Sequence, residues 1–556
     1  MHCKATLGEH RPRKLAFAAS ALATTLAASP TLAFEVDTGN PDFGLRWDTT
    51  VKYSAANRLH AADPALASDV NLGDGDTNFR NKGLVSSRFD LLSELEGNYR
   101  GTGFRLSGAA WNDSRYLRAN ANNTAGAFGP GTHAVNSTEI SAANQFSPYT
   151  RKTHGRDAEL LDAFVSTRFD LDGHAATVRL GQHTVVWGES VFFGDNGIAG
   201  AMSPVDVAKA LSVPNLRFQE ILRPVPQVSG QYQINSDLTA YAYYQAKWVE
   251  NRSQGAGSYF SPIDFQTGGN LLFGQSGLFM QAPTRDGKNS GQGGVSLRYR
   301  GEDTDYGLYL LRFNSKSSTI VTNPVTNTFY ENYHNGITSF GASANRSVGK
   351  FNLAVEASYR KNQDLLSLNA YDVGGGARYA TGNTFHLNLS AFGVGLGKTA
   401  LWNDATLIGE LAYNHVVRVT SNADTLSGCQ PSYFPGSVCQ PNGTRGSTRM
   451  QVMFEPVWFQ ALPGVDLRLP MGFSYQFKGS RNMIGPAPMP DGGGSINLGL
   501  SGSYLDVWRF GLSWTHYLGK AEPLFGLVSG SSTPSFNYGQ VFRDRDYLSL
   551  YLTRTF

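Results

Sequence analysis

Beyond its first 33 residues, this 556-residue chain has no stretch approaching the ~20 consecutive apolar residues that a membrane-spanning helix needs. Its mean hydropathy is −0.28. Helical membrane proteins are thereby set aside. Cysteine is almost missing: Cys3 lies in the leader and only Cys429 and Cys439 follow it. Two cysteines exclude a disulfide-dense scaffold. Flanked by Pro, Gly and Asn with no His between them, they read as a local disulfide stapling a loop, with a metal pair the poorer alternative. Histidine is scarce, at 11 residues. Charge of one sign is missing too. The formal net charge is +3, and it vanishes once Lys4, Glu9, Arg11, Arg13 and Lys14 are discounted with the leader, so no basic face for nucleic acid is expected.

Residues 1–33 have the order of a secretory signal. A basic start is followed by an apolar run from Leu15 to Ala28, and then by Thr31-Leu32-Ala33 at the position of a small-residue cleavage site. An exported chain starting at Phe34 is expected. It is rich in Gly, with 62, and in aromatics, at 12%, which suits many strands joined by tight turns.

Segment after segment alternates apolar and polar residues at period two. In 84–99, Val85, Phe89, Leu91, Leu95 and Tyr99 oppose Ser86, Arg88, Asp90, Glu94 and Glu96. In 351–360, Leu353, Val355, Ala357 and Tyr359 oppose Glu356, Ser358 and Arg360. Successive strand residues point to opposite faces, so each segment has one oily and one wet side. A soluble sandwich alternates in the same way, but the connections discriminate. Short ones such as Gly101-Thr102, Leu171-Asp172-Gly173 and Val348-Gly349 alternate with long ones such as 56–83, 117–156, 252–291, 315–334, 363–381 and 419–446. That rhythm predicts an all-β, transmembrane antiparallel barrel of about 16–18 strands over 34–556, with short periplasmic turns, long external loops and both ends on the periplasmic side. The final Leu548 to Phe556 resembles the terminal strand of such barrels, Arg554 departing from the usual apolar residue.

One connection breaks the pattern. Residues 184–224 should be a polar external loop, yet they carry Trp187, Glu189, Phe192, Phe193 and Asp195, and then Ser203-Pro204-Val205-Asp206, which reads as a helix start ended by Pro214. An apolar loop is costly in water. The segment is therefore expected to fold inward, partly helical, as a plug or constriction, a rim lid being the other reading. The wet strand faces would line the lumen beside it with Arg88, Asp90, Glu94, Glu96, Arg105, Asp162, Arg168, Arg179 and His183. Wall arginines such as Arg179 are expected to hold Glu189, Asp195 and Asp206. An orienting field across the constriction is the sharper alternative.

Other motifs fail on spacing. Gly395-Leu396-Gly397-Lys398-Thr399 lacks the first glycine of a phosphate loop, since position 392 is Phe. Asp74-Gly75-Asp76-Thr77-Asn78 opens like a calcium loop, but its twelfth position is Val85, so a solvated turn is expected. Neither Gly-x-Ser-x-Gly nor His-Glu-x-x-His occurs. No enzyme, cofactor or metal is expected.

Taken together, Phe34 to Asp42 with Leu45-Arg46-Trp47-Asp48, Leu160 to Phe164, Val178 to His183, Trp187-Gly188-Glu189-Ser190, Gly197 to Gly200, Pro204 to Val207 and Arg223 to Gly230 resemble the outer-membrane domain of unknown function family 1302. Gly257-Ser258-Tyr259-Phe260 and Gly291 to Val295 add to the match. The resemblance implies a barrel without an established activity. It also implies a gene neighbourhood of envelope proteins, a proton-driven inner-membrane exporter and degradation of hydrophobic compounds. The expectation is an outer-membrane channel or transporter for a hydrophobic small molecule or lipid, with 184–224 as gate and Trp187, Phe192 and Phe193 meeting the solute. Its partners would be outer-membrane lipid and, through the resemblance, a periplasmic carrier and the inner-membrane exporter. The alternatives are a non-transporting envelope component that partners a periplasmic lipid carrier, and an outer-membrane hydrolase.

Overall fold

A computed structural model describes residues 34–122, 144–216, 220–274, 277–431, 439–485 and 488–556. The expected leader, 1–33, lies outside them. The period-two segments form eighteen antiparallel strands, in chain order β1 Phe43–Arg58, β2 Gly83–Tyr99, β3 Thr102–Asp113, β4 Arg156–Leu171, β5 His174–His183, β6 Val225–Gln233, β7 Leu238–Gln245, β8 Gly293–Arg300, β9 Asp305–Phe313, β10 Ile337–Val348, β11 Phe351–Asp364, β12 Thr381–Gly393, β13 Asp404–Ser421, β14 Gly446–Leu462, β15 Val465–Arg468 continued by Met471–Gln476, β16 Gly493–Tyr504, β17 Trp508–Leu518 and β18 Tyr547–Thr555. Each pairs with its neighbours in sequence. The last closes on the first, from Thr50 opposite Thr555 to Arg58 opposite Tyr547, so no edge is left unpaired. The interruption of β15 falls at Leu469-Pro470, where proline has no N–H for the ladder. A short strand, Phe34–Val36, adds to the turn end of β1.

Alternation decides which way each side chain points. Along β2, Phe89 and Leu91 are exposed on the outer surface while Ser86 and Arg88 are buried inside. Along β11, Leu353 and Val355 face out while Glu356, Ser358 and Arg360 are buried inside. Leu160, Leu180 and Leu308 extend the outer apolar belt around the wall. A closed ladder satisfies every wall N–H and C=O internally, which a bilayer demands. Among the described residues no helix is long and apolar enough to cross a membrane.

The tight connections, such as 100–101, 172–173, 349–350 and 463–464, gather at the end of the barrel that holds Phe43 and Thr555. The long connections gather at the other end, and they are more structured than their sequence suggests. The expected loops 252–291 and 315–334 contribute a four-stranded sheet of Leu271–Gly274, Gly277–Gln281, Thr319–Asn323 and Thr328–Asn332. The loop before β18 adds a hairpin, Phe525–Leu527 with Pro534–Phe536. Cys429 and Cys439 are joined as a disulfide within the loop after β13.

The expected solvated turn at Asp74 to Asn78 is a correction. It is a single helical turn, wholly buried. Asp76 there takes Arg58 at 3.0 Å and Arg545 at 2.9 Å, and Arg58 also reaches Asp544 at 2.6 Å. Burial alone would raise the Asp76 carboxyl, but the Arg545 and Arg58 guanidiniums more than offset it and hold it below the usual carboxylate range. Arg545 also donates to the carbonyls of Tyr259 and Ser261, at 2.6 and 2.8 Å, and so ties three loops to the rim of β1.

Candidate functional site

The segment between β5 and β6 enters the barrel interior at its loop end and crosses to the far wall. Its first apolar stretch packs against β7, β9 and β10. Val185, Ile198, Ala201 and Met202 form one buried cluster with Tyr243, Tyr309, Leu311, Phe313 and Ile337. Trp187 meets Tyr241, Tyr243 and Tyr309 with ring centroids 5.1–6.4 Å apart. Burying a side chain the size of Ile198 contributes about 1.5–3 kcal/mol. The aromatic and aliphatic character that makes this loop anomalous in sequence is therefore consumed as an anchor on one wall.

The adjoining strands of the wall, β11 to β13, hold the segment by its backbone. Glu356 of β11 accepts the amides of Glu189 and Ile198. Glu410 of β13 accepts the Ser190 hydroxyl at 2.8 Å and the amides of Val191, Phe192 and Phe193, the first and last at 3.0 Å. Arg360 of β11 closes the other polarity, donating to the carbonyls of Asp195, Asn196 and Gly197 at 3.2, 3.0 and 2.7 Å. Asn196 donates to Asn388 of β12 at 2.8 Å and to the Tyr413 carbonyl at 3.1 Å. Buried charges satisfy otherwise orphaned backbone groups of an irregular segment, which is how such a segment tolerates a low-dielectric position. Two glycines make the approach feasible. A Cβ at Gly188, whose φ is +99°, would lie 2.2 Å from Glu356 Oε2, and one at Gly197 would lie 2.5 Å from Oε1.

The charged side chains of the segment find arginines, though not the expected one. Glu189 lies 3.4 Å from Arg298 of β8, Asp195 pairs with Arg449 of β14 at 2.7 Å, and Asp206 pairs with Arg252 at 2.7 Å. Arg179 instead lies over the Phe164 ring, 4.6 Å from its centroid, because the two are diagonal neighbours on adjoining strands, Phe164 opposite Gly181 and Arg179 opposite Ser166. Arg449 also covers the ring of Phe193, so Phe193 is buried while Phe192 is partly buried. The helix is shorter than its sequence signal. It spans Val207–Ser212 and is capped by Asp206, whose carboxylate accepts the Lys209 amide at 2.8 Å. The Ser203 hydroxyl turns instead to the Val185 carbonyl at 3.0 Å, and an isolated bridge from Val205 to Leu222 keeps that stretch extended. Lys52 of β1 receives the segment on its return, donating to Pro214 and Asn215 carbonyls.

The other expected lumen residues lie on the wall. Arg88 pairs with Asp90 and stacks on Trp111. Arg105 gathers Glu94, Glu96 and Asp162. Arg168 lines a small polar recess with Thr177, Gln231 and Tyr241 near the turn end. His183 is buried at the root of the segment, with Nε2 2.7 Å from the Ser229 hydroxyl.

One space lies among the outer loops and a second borders the segment. Toward the loop end is a cavity of about 500 Å³ whose wall includes Phe265, Leu272, Phe273, Ile320, Leu365 and Phe525. Next to the segment is a polar slot of about 90 Å³, lined by Asp195, Asn196, His386, Asn414 and Arg449. Gly485 belongs to both walls. A water takes ≈ 30 Å³ of liquid, so the slot has room for only a few waters. Sequence reasoning missed Glu410, the cavity and its sheet. Glu356 was visible only as a member of a wet face. The available signals were acids in otherwise apolar strands and short apolar runs inside presumed loops, as in Leu271-Leu272-Phe273 and Ile320-Val321.

The closed ladder with its outer apolar belt is an outer-membrane β-barrel. A family model described as "Protein of unknown function (DUF1302)" matches residues 14–556. No curated protein matches the chain. Among solved structures, Acinetobacter baumannii OccAB1 is similar at 11% identity, with 92% of this chain and 96% of that one covered and a TM-score of 0.41. The outer membrane protein OpdK from Pseudomonas aeruginosa is similar at 12% identity, with 92% and 98% covered and a TM-score of 0.39. OmpT, an outer membrane protein of Vibrio cholerae, is similar at 8% identity, with 95% and 100% covered and a TM-score of 0.34.

Proposed function

The chain belongs to the DUF1302 family, and from that premise we propose that it is an outer-membrane channel that passes a hydrophobic small molecule or lipid, with the segment 184–224 as its gate. The observation that carries this reading is the pair of buried wall carboxylates, Glu356 and Glu410, which hold the segment across the lumen by its backbone amides. Hydrogen bonds of this kind can be exchanged for water, so the segment can move without unfolding the wall. The pairs at Glu189 and Asp195 each keep one partner, Arg298 or Asp195, open to water, and screening weakens their share of the hold. Partly buried Phe192 and the apolar cavity toward the loop end favour an apolar solute over a sugar or an ion.

Planar-bilayer recording tests the gate. Deleting 190–210 should raise unselective conductance severalfold, and an unchanged conductance would sink the reading. The second reading is a non-transporting component that partners a periplasmic lipid carrier. Co-purification with such a carrier, together with no solute flux into liposomes, would favour it.

A further inference from the structure

We infer that the cavity among the outer loops is a capture site for a single uncharged apolar molecule carrying at most a hydroxyl or carbonyl group. This deepens the channel reading and rests on it for the onward route past Gly485.

The inference starts from size. About 500 Å³ lies in the range of small-molecule pockets. The neighbouring slot of about 90 Å³, which shares Gly485 with the cavity wall, is too small to admit such a molecule.

Polarity comes next. The polar side chains at the cavity wall direct their hydrogen bonds into the protein. Asn71 both donates to and accepts from the Phe273 backbone, at 2.9 Å each way. Gln266 donates to Ser318 at 2.9 Å, and Asn369 donates to the Cys429 carbonyl at 2.6 Å. Asp364 accepts from Ser315 at 3.0 Å and from Gln363 at 2.7 Å. With those groups engaged, a sugar or peptide would lose its hydration without replacement, whereas an apolar molecule loses nothing.

Charge narrows the class further. Two carboxyls, Asp69 and Asp364, belong to the wall, and among the described residues no Lys, Arg or His does. Like charge in a shielded space repels a fatty-acid or other carboxylate ligand. Asp69 keeps one oxygen on the Asn71 amide at 2.8 Å, and a carboxyl so placed accepts a hydrogen bond from a ligand hydroxyl while repelling a ligand carboxylate.

Photolabelling of the full-length barrel in lipid nanodiscs tests this with two probes, a diazirine-bearing long-chain alcohol and the matching carboxylate. Adducts are mapped by mass spectrometry. The alcohol should label peptides covering 262–273, 317–322 and 364–369, on the order of tenfold more than the carboxylate does. Leu272→Trp together with Ile320→Trp should remove that labelling while the protein retains its heat-resistant migration. Asp69→Lys, which leaves the cavity open, should shift the preference to the carboxylate. Labelling confined to the lipid-facing strands would overturn the inference, and so would equal labelling by both probes or an Asp69→Lys protein with unchanged preference. Labelling reads the cavity and the 190–210 deletion reads the segment, so either proposal can fail while the other stands.

Discussion

The two ends of this barrel use the same ion pairs to different effect. At the loop end, the side chains of Arg58, Asp76 and Arg545 are 0%, 1% and 2% exposed. At the turn end, Arg105, Glu96, Arg298 and Arg468 are 27–47% exposed although each is paired. The first set is a dry joint holding loops to the rim. The second is a hydrated wall whose charges are screened and exchangeable. A buried pair is expensive to break because its partner is stranded, whereas a hydrated pair is cheap to break. The segment 184–224 sits between the two regimes, with one side packed on aromatics and the other held by carboxylates.

The largest expected effect comes from the dry end. Arg545→Met should cost about 3–5 kcal/mol, because it removes one of the two guanidiniums on buried Asp76 and leaves two loop carbonyls without their donor. Urea unfolding in lipid, followed by tryptophan fluorescence, would read it. A loss no greater than that of Arg105→Met would erase the distinction between the ends. Next is the boundary. Gly197→Ala forces a methyl onto Glu356 and should weaken the hold by about 1.5–3 kcal/mol, the worth of a charged hydrogen bond. It should raise open probability in single-channel records while the unfolding midpoint of the wall hardly moves.

Smaller still, for each pH unit, is an effect at Lys316, a loop residue buried on the Ala201 carbonyl at 3.0 Å. Burial, with Arg360 nearby, pushes its ammonium down to about 7. Below that value the folded protein carries a buried charge. From about 7 up to the ordinary lysine value the unfolded chain binds more protons than the folded one, so stability should rise with pH across that window, by on the order of 1 kcal/mol per pH unit. Lys316→Met should flatten the slope, and an unaltered slope would remove Lys316 from the account. The smallest effect belongs to the wet end, where Arg105→Met should cost about 0–1 kcal/mol and shift ion selectivity toward cations.

Much of the fold was legible because alternation is a local property. A residue such as Leu353 or Glu356 is assigned its face by its immediate neighbours, and the rhythm of turns does the rest. The anomaly of 184–224 was legible for the same reason, since an apolar loop stands out against polar ones. Its partners were not. Arg179 and Arg449 look alike in sequence, and only the circumference of the wall puts Arg449 beside Asp195. Asp76 reads as a solvated turn until Arg58 and Arg545 arrive from opposite ends of the chain.

The sequence by itself determined a closed antiparallel barrel, its number of strands to within two, the end at which its loops gather, and the segment that breaks the pattern. These follow from the pleat, which turns local order into inside and outside. Tertiary structure alone decided which wall groups hold that segment and where an apolar cavity forms. Strands remote in sequence become neighbours only when β18 meets β1, and a contact across a lumen leaves no periodic trace along the chain.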